Sequence, residues 1–310
     1  MWLADKWKDY EVLDCSSGEK LERWGKYRLL RPDPQVIWAT SKNTSLWGKL
    51  NAHYHRSSKG GGEWEFFDLP EQWTIEYRDL KFNLKPFSFK HTGLFPEQAV
   101  NWDWMRGRLK DAMDKDPERS FKVLNLFAYT GGATVACAAE GYFSSERKEA
   151  SASHINVTHV DASKGMVNWA SENARASGLG EARIRWLVDD CGKFVEREIR
   201  REKKYEAVIM DPPSYGRGPK GEIWKIEDAV FPLVQRCAEL LSDEPLFFLI
   251  NSYTTGLQPG VLSYMLKEAV GKRFGGSVVS DEIGLPVTGS EEAKQLGLVL
   301  PCGAAGRWKA

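Results

Sequence analysis

Cysteine is scarce and scattered in this chain. The five thiols, Cys15, Cys137, Cys191, Cys237 and Cys302, are odd in number and include no C-x-x-C pair. That excludes a disulfide framework and a structural zinc knuckle, and no metal is expected. Excess charge is missing too: 43 Lys and Arg balance 43 Asp and Glu. The protein is therefore not a polybasic coat for nucleic acid, although a local basic edge stays open. No apolar run approaches the roughly 18 to 20 residues of a bilayer helix; the densest, 246–250, is strand-sized. The first ten residues lack the apolar stretch of a secretory signal, so the expectation is a soluble cytoplasmic protein without membrane contact. What is present in quantity is length and aromatic side chains. The 310 residues can bury a full core in one large or two unequal domains, and most of the 13 Trp belong to packing, a minority being available to stack on a ligand or base.

The first 90 residues read as a small β-rich domain. Short aromatic or alternating segments at 26–30, 35–39, 64–67, 73–77 and 80–84 are separated by Gly, Pro, Asn and Ser clusters. Residues 1–95 hold 15 basic and 13 acidic side chains, so this part is no basic module, and whether it touches substrate stays open. From 91 to 310 the pattern changes. Strands are expected at 121–127, 155–160, 184–188, 207–210 and 246–250, with helices at 96–113, 133–139, 164–177, 191–201 and 229–241. Strand alternating with helix at this spacing means an α/β domain with a mostly parallel, Rossmann-like sheet. The tail, 284–289 and 298–301, reads as an antiparallel hairpin at its edge, and the polar stretch 144–154 as a surface loop.

In such a sheet ligands bind at the carboxyl ends of the strands. The first strand runs into Asn125-Leu-Phe-Ala-Tyr-Thr-Gly-Gly-Ala-Thr134, where Gly131 and Gly132 permit either a ligand-approaching loop or a plain turn. It is neither a Walker A loop nor a dinucleotide fingerprint. The second strand ends in Asp161, able to accept both hydroxyls of a ribose or to cap the next helix. The third ends in Val188-Asp-Asp-Cys191, where Asp190 could accept from an adenine amino group and either acid could cap a helix. The fourth ends in Asp211-Pro-Pro-Ser-Tyr215. Two prolines after a strand donate no ladder bonds and fix an extended turn, so Asp211 is a rigid acceptor beside a reacting group, or part of a structural turn only.

Together, residues 121–134, Asp161-Ala-Ser163, Trp186-Leu-Val-Asp-Asp190 and Asp211-Pro-Pro-Ser-Tyr-Gly-Arg-Gly-Pro-Lys-Gly221 resemble class I S-adenosylmethionine-dependent methyltransferases. More narrowly, they resemble the bacterial group of 23S ribosomal RNA cytosine-C5 and guanine-N7 methyltransferases, over residues 64–310. The resemblance implies S-adenosylmethionine as cofactor, with Phe127, Tyr129, Thr130, Gly131 and Gly132 flanking its amino-acid part. Asp161 would hold the ribose, bordered by Ala162 and Ser163, with Asp190 and Cys191 facing the adenine. Phe95 and Gln98, from His91-Thr-Gly-Leu-Phe-Pro-Glu-Gln98, would close the pocket. Asp211, Pro213, Ser214 and Tyr215 would lie where methyl donor and acceptor meet.

Cytosine C5 is a poor nucleophile that needs a cysteine thiolate added at C6. Neither the fourth strand end nor the fifth, Leu249-Ile-Asn-Ser-Tyr-Thr254, carries a cysteine, and Cys237 reads as core. Nucleophiles that need no covalent activation, a ring or exocyclic nitrogen of a purine for instance, fit better. Arg217, Lys220, Trp224 and Lys225 follow the Pro-Pro turn and read as an RNA-contacting edge or as a solvated loop. The expectation is an enzyme that methylates a base of ribosomal RNA. The alternatives are a small-molecule or protein acceptor, and a non-catalytic nucleotide- or RNA-binding module. Oligomeric state is not legible.

Overall fold

A computed structural model of the chain describes residues 1–57, 61–87, 89–143, 154–217 and 223–310. Lys220, and the expected surface loop at 144–154 apart from His154, lie outside them. The described residues form two compact units, Met1–Val100 with Ile283–Cys302, and Asn101–Glu282 with Gly303–Ala310. The compositional boundary at residue 90 falls inside the first unit, and a segment from late in the sequence counts with it.

The first unit carries a five-stranded sheet in chain order, Tyr10–Ser16, Glu19–Trp24, Tyr27–Pro32, Ala52–Arg56 and Gly62–Phe66. A separate hairpin pairs Trp73–Tyr77 with Leu80–Leu84. In that hairpin Trp73, Ile75 and Tyr77 are buried and alternate with exposed residues, the period of a half-buried antiparallel strand. The expected strand at 35–39 is not one. Its carbonyls at Val36 and Trp38 instead accept from Gly18 and Ser17, so the segment is used to close the Ser17-Gly18 turn and joins no ladder. The strands at Tyr10–Ser16 and Glu19–Trp24 interleave charged residues with buried apolar ones, so neither reads as a continuous apolar run. Glu22 is fully buried, held by Arg31 Nε and Nη2 at 2.6 and 2.7 Å and by the Tyr10 hydroxyl, which donates at 2.7 Å.

That buried network sets an acid response. Burial alone would raise the Glu22 carboxyl, but the Arg31 and Lys20 charges outweigh it and hold it at about 2. Burial, with the Arg31 and Lys90 charges, presses His91 down to about 4. Both folded-state values lie below the ordinary ones of 4.5 and 6.5, so both groups favour folding at neutral pH. The His91 contribution is lost as pH falls from 6.5 to about 4, and the Glu22 contribution from 4.5 to about 2. Urea unfolding followed against pH is expected to show stability falling as pH drops below 6.5, and Glu22→Gln to flatten the part of the fall between 4.5 and about 2.

The second unit is built on strands β1 (Phe121–Leu126), β2 (Ile155–Asp161), β3 (Ile184–Val188), β4 (Ala207–Met210) and β5 (Phe247–Ser252). They are joined by residues of β6 (Ser277–Pro286) and β7 (Val299–Lys309), two strands that contribute residues to both units. The order is 3-2-1-4-5-7-6, with β1 to β5 parallel and β7 antiparallel to β5. The helices are α1 (Ala99–Lys115), α2 (Gly132–Phe143), α3 (Lys164–Ala176), α4 (Cys191–Arg200) and α5 (Ile226–Glu239). Every residue of β4 and β5 is buried, as central parallel strands covered on both faces must be. On one face Leu124, Val160, Val208, Met210 and Phe248 pack with Phe194 and Val195 of α4 and Val230 and Val234 of α5. Each large side chain so buried contributes roughly 1.5–3 kcal/mol. The sheet order reverses between β1 and β4, which leaves a crevice at their carboxyl ends. Among the described residues no helix is long and apolar enough to cross a membrane.

Candidate functional site at the carboxyl ends of the strands

The loop after β1 is under conformational constraint. Phe127 and Tyr129 have φ of 54° and 50°, and Gly131 has 85°. A left-handed backbone costs a non-glycine residue roughly 1–2 kcal/mol, and persists only where the surroundings dictate it. Those surroundings are a set of backbone bonds. The Phe127 N–H donates to Cys191 Sγ at 3.3 Å, Ala128 N–H to the Val160 carbonyl at 3.1 Å, and Tyr129 N–H to Asp161 Oδ2 at 2.9 Å. The Thr130 carbonyl accepts from Asn173 Nδ2 at 2.9 Å. The glycines fit space that nothing larger could occupy. A Cβ on Gly131 would stand 2.8 Å from Ala170 Cβ, and one on Gly132 2.7 Å from Trp102 Cζ2. Gly131→Ala adds a methyl to a positive-φ residue against a helix, and is expected to lower stability by about 3 kcal/mol in urea unfolding.

Asp161 closes the other side of this loop. Its two oxygens accept from Tyr129 N–H and, at 2.8 Å, from Ser163 N–H. Burial raises its pKa, against the lowering effect of those two bonds. The helix cap that the sequence allowed for Asp161 belongs to Ser163, whose Oγ accepts from Met166 N–H. Each carboxylate oxygen keeps a second lone pair, an arrangement suited to two neighbouring hydroxyls. Ala162 and Ser163 are exposed beside it. At the end of β3, Asp190 caps α4, Oδ1 accepting from Lys193 N–H at 2.8 Å, while Asp189 pairs with Arg197. Asp190 is exposed; Cys191 is buried, and burial pushes its thiol far above the ordinary value.

The Asp-Pro-Pro-Ser turn continues β4 by one bond, Asp211 N–H to the Leu126 carbonyl at 3.4 Å. Asp211 is half-buried, Pro212 is buried, and Pro213, Ser214 and Tyr215 are exposed. Three contacts immobilise the turn. The Ser214 and Thr254 hydroxyls meet at 2.5 Å, joining the ends of β4 and β5. Trp224 Nε1 donates to the Pro213 carbonyl at 2.6 Å, and the Ser214 carbonyl accepts from Ile226 N–H at 3.1 Å. Trp224 lies on a short hairpin, Tyr215–Arg217 with Ile223–Lys225, in which Tyr215 pairs Lys225. Its ring meets that of Phe127 at 5.4 Å, which ties the β1 loop to the β4 turn. Lys225 is exposed on the same hairpin.

Six of the expected segments are thus assembled at the strand ends: the Phe127 to Gly132 loop, Asp161 to Ser163, Asp190 and Cys191, Asp211 to Ser214, Tyr215, and the Trp224-Lys225 strand. Arg217 stands on the same hairpin by its backbone. Phe95 and Gln98 belong to the first unit. There Phe95 precedes the one-turn helix Pro96–Gln98, its carbonyl accepting from Gln98 N–H at 3.1 Å, and its ring meets His91 at 5.3 Å. Sequence reasoning missed a support beneath the β1 loop. Asn125 Nδ2 donates to Thr134 Oγ1, which shares a further hydrogen bond with His159 Nδ1, each at 2.9 Å. Burial presses His159 down to about 3, so its imidazole is neutral. The available signal was Asn125, a buried amide inside an apolar strand. Trp102 against Gly132 had no local signal.

The profile of the S-adenosylmethionine-dependent methyltransferase family matches residues 29–268. Among solved structures, the SAM-dependent methyltransferase from Agrobacterium tumefaciens superposes with a TM-score of 0.86 at 33% identity, over 99% of this chain and 93% of that one. Curated relatives include ribosomal RNA large subunit methyltransferase K/L of Shewanella frigidimarina, 30% identical over 54% of this chain, and of Methylococcus capsulatus, 28% identical over 65%. The chain spans only about a fifth of the length of these two relatives, 21% and 22%.

Proposed function

The chain belongs to the S-adenosylmethionine-dependent methyltransferase family, and on that premise we propose that it methylates a nitrogen on a purine base of ribosomal RNA, in the cytoplasm. The observation that carries the acceptor site is the rigid Asp211-Pro-Pro-Ser turn, braced from β5 by Thr254 and from the hairpin by Trp224. The curated relatives, which bear the name of ribosomal RNA large subunit methyltransferases, support RNA as the acceptor.

The residues at the strand ends fit the cofactor on their own chemistry. Asp161 would accept the ribose hydroxyls on the lone pairs its two backbone bonds leave. Asp190 would use the oxygen not engaged in capping for the adenine amino group, with Cys191 behind it. Phe127, Tyr129, Thr130, Gly131 and Gly132 would border the amino-acid part, where the constrained loop brings backbone close. Bound S-adenosylmethionine supplies a methyl group made electrophilic by its sulfonium. Asp211 would accept a hydrogen bond from the amino group of the base, turning the nitrogen lone pair toward that methyl and stabilising the charge that develops on nitrogen. Ser214 and Pro213 hold Asp211 in that attitude through Thr254 and Trp224. Tyr215, Arg217, Trp224, Lys225 and Lys220 would contact the RNA next to the target base.

Cytosine C5 is disfavoured. All five cysteines are buried, and burial pushes the Cys191 and Cys237 thiols up, so neither supplies the thiolate that addition at C6 requires. The test is to compare modified nucleosides in ribosomal RNA from cells with and without the gene. Loss of one methylated purine is expected; an unchanged profile would turn the assignment to a small-molecule or protein acceptor.

A further inference from the structure

We propose that the first unit binds one divalent transition-metal ion through His53, His55 and Glu65, on the last two strands of its five-stranded sheet. His53 and His55 are two apart in Ala52–Arg56 and therefore share a face. The antiparallel register puts Glu65 directly opposite His53, so it lies on that face as well. Among the described residues, one donor atom from each of the three comes within 4.8 Å of the others. His55 Nε2 is 2.8 Å from Glu65 Oε2, and the two imidazole rings are 3.8 Å apart between centroids.

A tetrahedral ion with bonds of about 2.0–2.2 Å sets its donors roughly 3.4 Å apart. The His55–Glu65 pair needs to open by only about half an ångström from its present contact to admit such an ion between them. The wider gap in the set closes by rotating exposed side chains, Glu65 being 52% and His55 47% accessible. The arrangement also has the outer carboxylate that orients a ligating imidazole. Glu19 Oε1 lies 2.9 Å from His53 Nε2, and Glu19 is itself held by Lys42 at 2.9 Å. Two imidazole nitrogens and one carboxylate oxygen suit zinc, nickel or copper rather than magnesium or calcium, which demand more oxygen donors. An ion there would staple the Ala52–Arg56 strand to the Gly62–Phe66 strand. None of these residues belongs to the methyl-transfer site.

The test is calorimetric titration of the full chain, purified without a histidine tag, with zinc chloride alone. One equivalent is expected to bind. His55→Ala and Glu65→Gln should each weaken binding by about 10-fold or more; both residues are exposed, so the fold should persist, and thermal melts check it. In wild-type protein, cobalt substituted for zinc should give the visible bands of a tetrahedral site, a readout independent of any variant. Affinity for S-adenosylmethionine should not change with zinc. Absence of a one-equivalent isotherm, equal affinity in the variants, or cobalt spectra of the free aqueous ion would each overturn the site and leave only surface histidine–carboxylate pairs.

Discussion

Replacing Asp211 by Asn is expected to lower turnover about 10²- to 10³-fold while cofactor affinity stays within about two-fold. Asn preserves the shape of the side chain and one oxygen, and removes the charge. The turn that carries residue 211 is held by contacts that the substitution leaves in place: Trp224 to the Pro213 carbonyl, Ile226 to the Ser214 carbonyl, and Ser214 to Thr254. The fold should therefore be unaltered and the loss confined to the methyl-transfer step. Steady-state kinetics with saturating cofactor, together with a thermal melt, separate the two readings that the Pro-Pro motif allowed. A purely structural turn would show a lowered melting temperature with turnover unchanged.

Asp161→Ala is expected to weaken S-adenosylmethionine binding about 100-fold or more, by calorimetric titration. Hydrogen bonds to a charged group are worth roughly 1.5–3 kcal/mol each, and the carboxylate would give up two to the ribose. It also gives up the bonds from Tyr129 and Ser163 that hold the β1 loop in its left-handed conformation. Asp161→Asn, which keeps an acceptor for one of those N–H groups, should fall between. Because burial raises the Asp161 pKa and ribose hydroxyls donate to the ionised form, affinity in the wild type should weaken on acidification at a pH above the ordinary value of 3.8. The same raised value makes the folded apo protein favour the protonated acid, so this group opposes folding at neutral pH, the opposite sign to Glu22 and His91.

The centre of the sheet was legible because β4 and β5 are buried on both faces. Ala207 to Met210 and Leu246 to Ile250 read as short continuous apolar runs, which no solvent-facing strand can sustain, and Asp211 marked where the first of them ends. The first unit was less so, because it solves burial differently. Glu19 to Trp24 hides a carboxylate against Arg31, a pairing between strands that local sequence does not reveal, and the apolar segment 35–39 closes a turn through its backbone carbonyls instead of joining a ladder. At the site, the identity of each strand-end acid was readable and its local task was not. Ser163 rather than Asp161 caps α3, and Asp190 does cap α4. The unusual backbone at Phe127 and Tyr129, and the Thr134–His159 support, depend on tertiary contacts with β2, α3 and α4 and leave no periodic trace.

Methyl transfer to RNA is tested most directly by incubating the purified protein with S-adenosylmethionine bearing a trideuterated methyl group and ribosomal RNA from a strain lacking the gene, followed by mass spectrometry of the nucleosides. The expected result is deuterated methyl on one purine nucleoside, with Asp211→Asn giving at most about a hundredth of the rate. Unlabelled RNA, or label found in 5-methylcytidine, would contradict it.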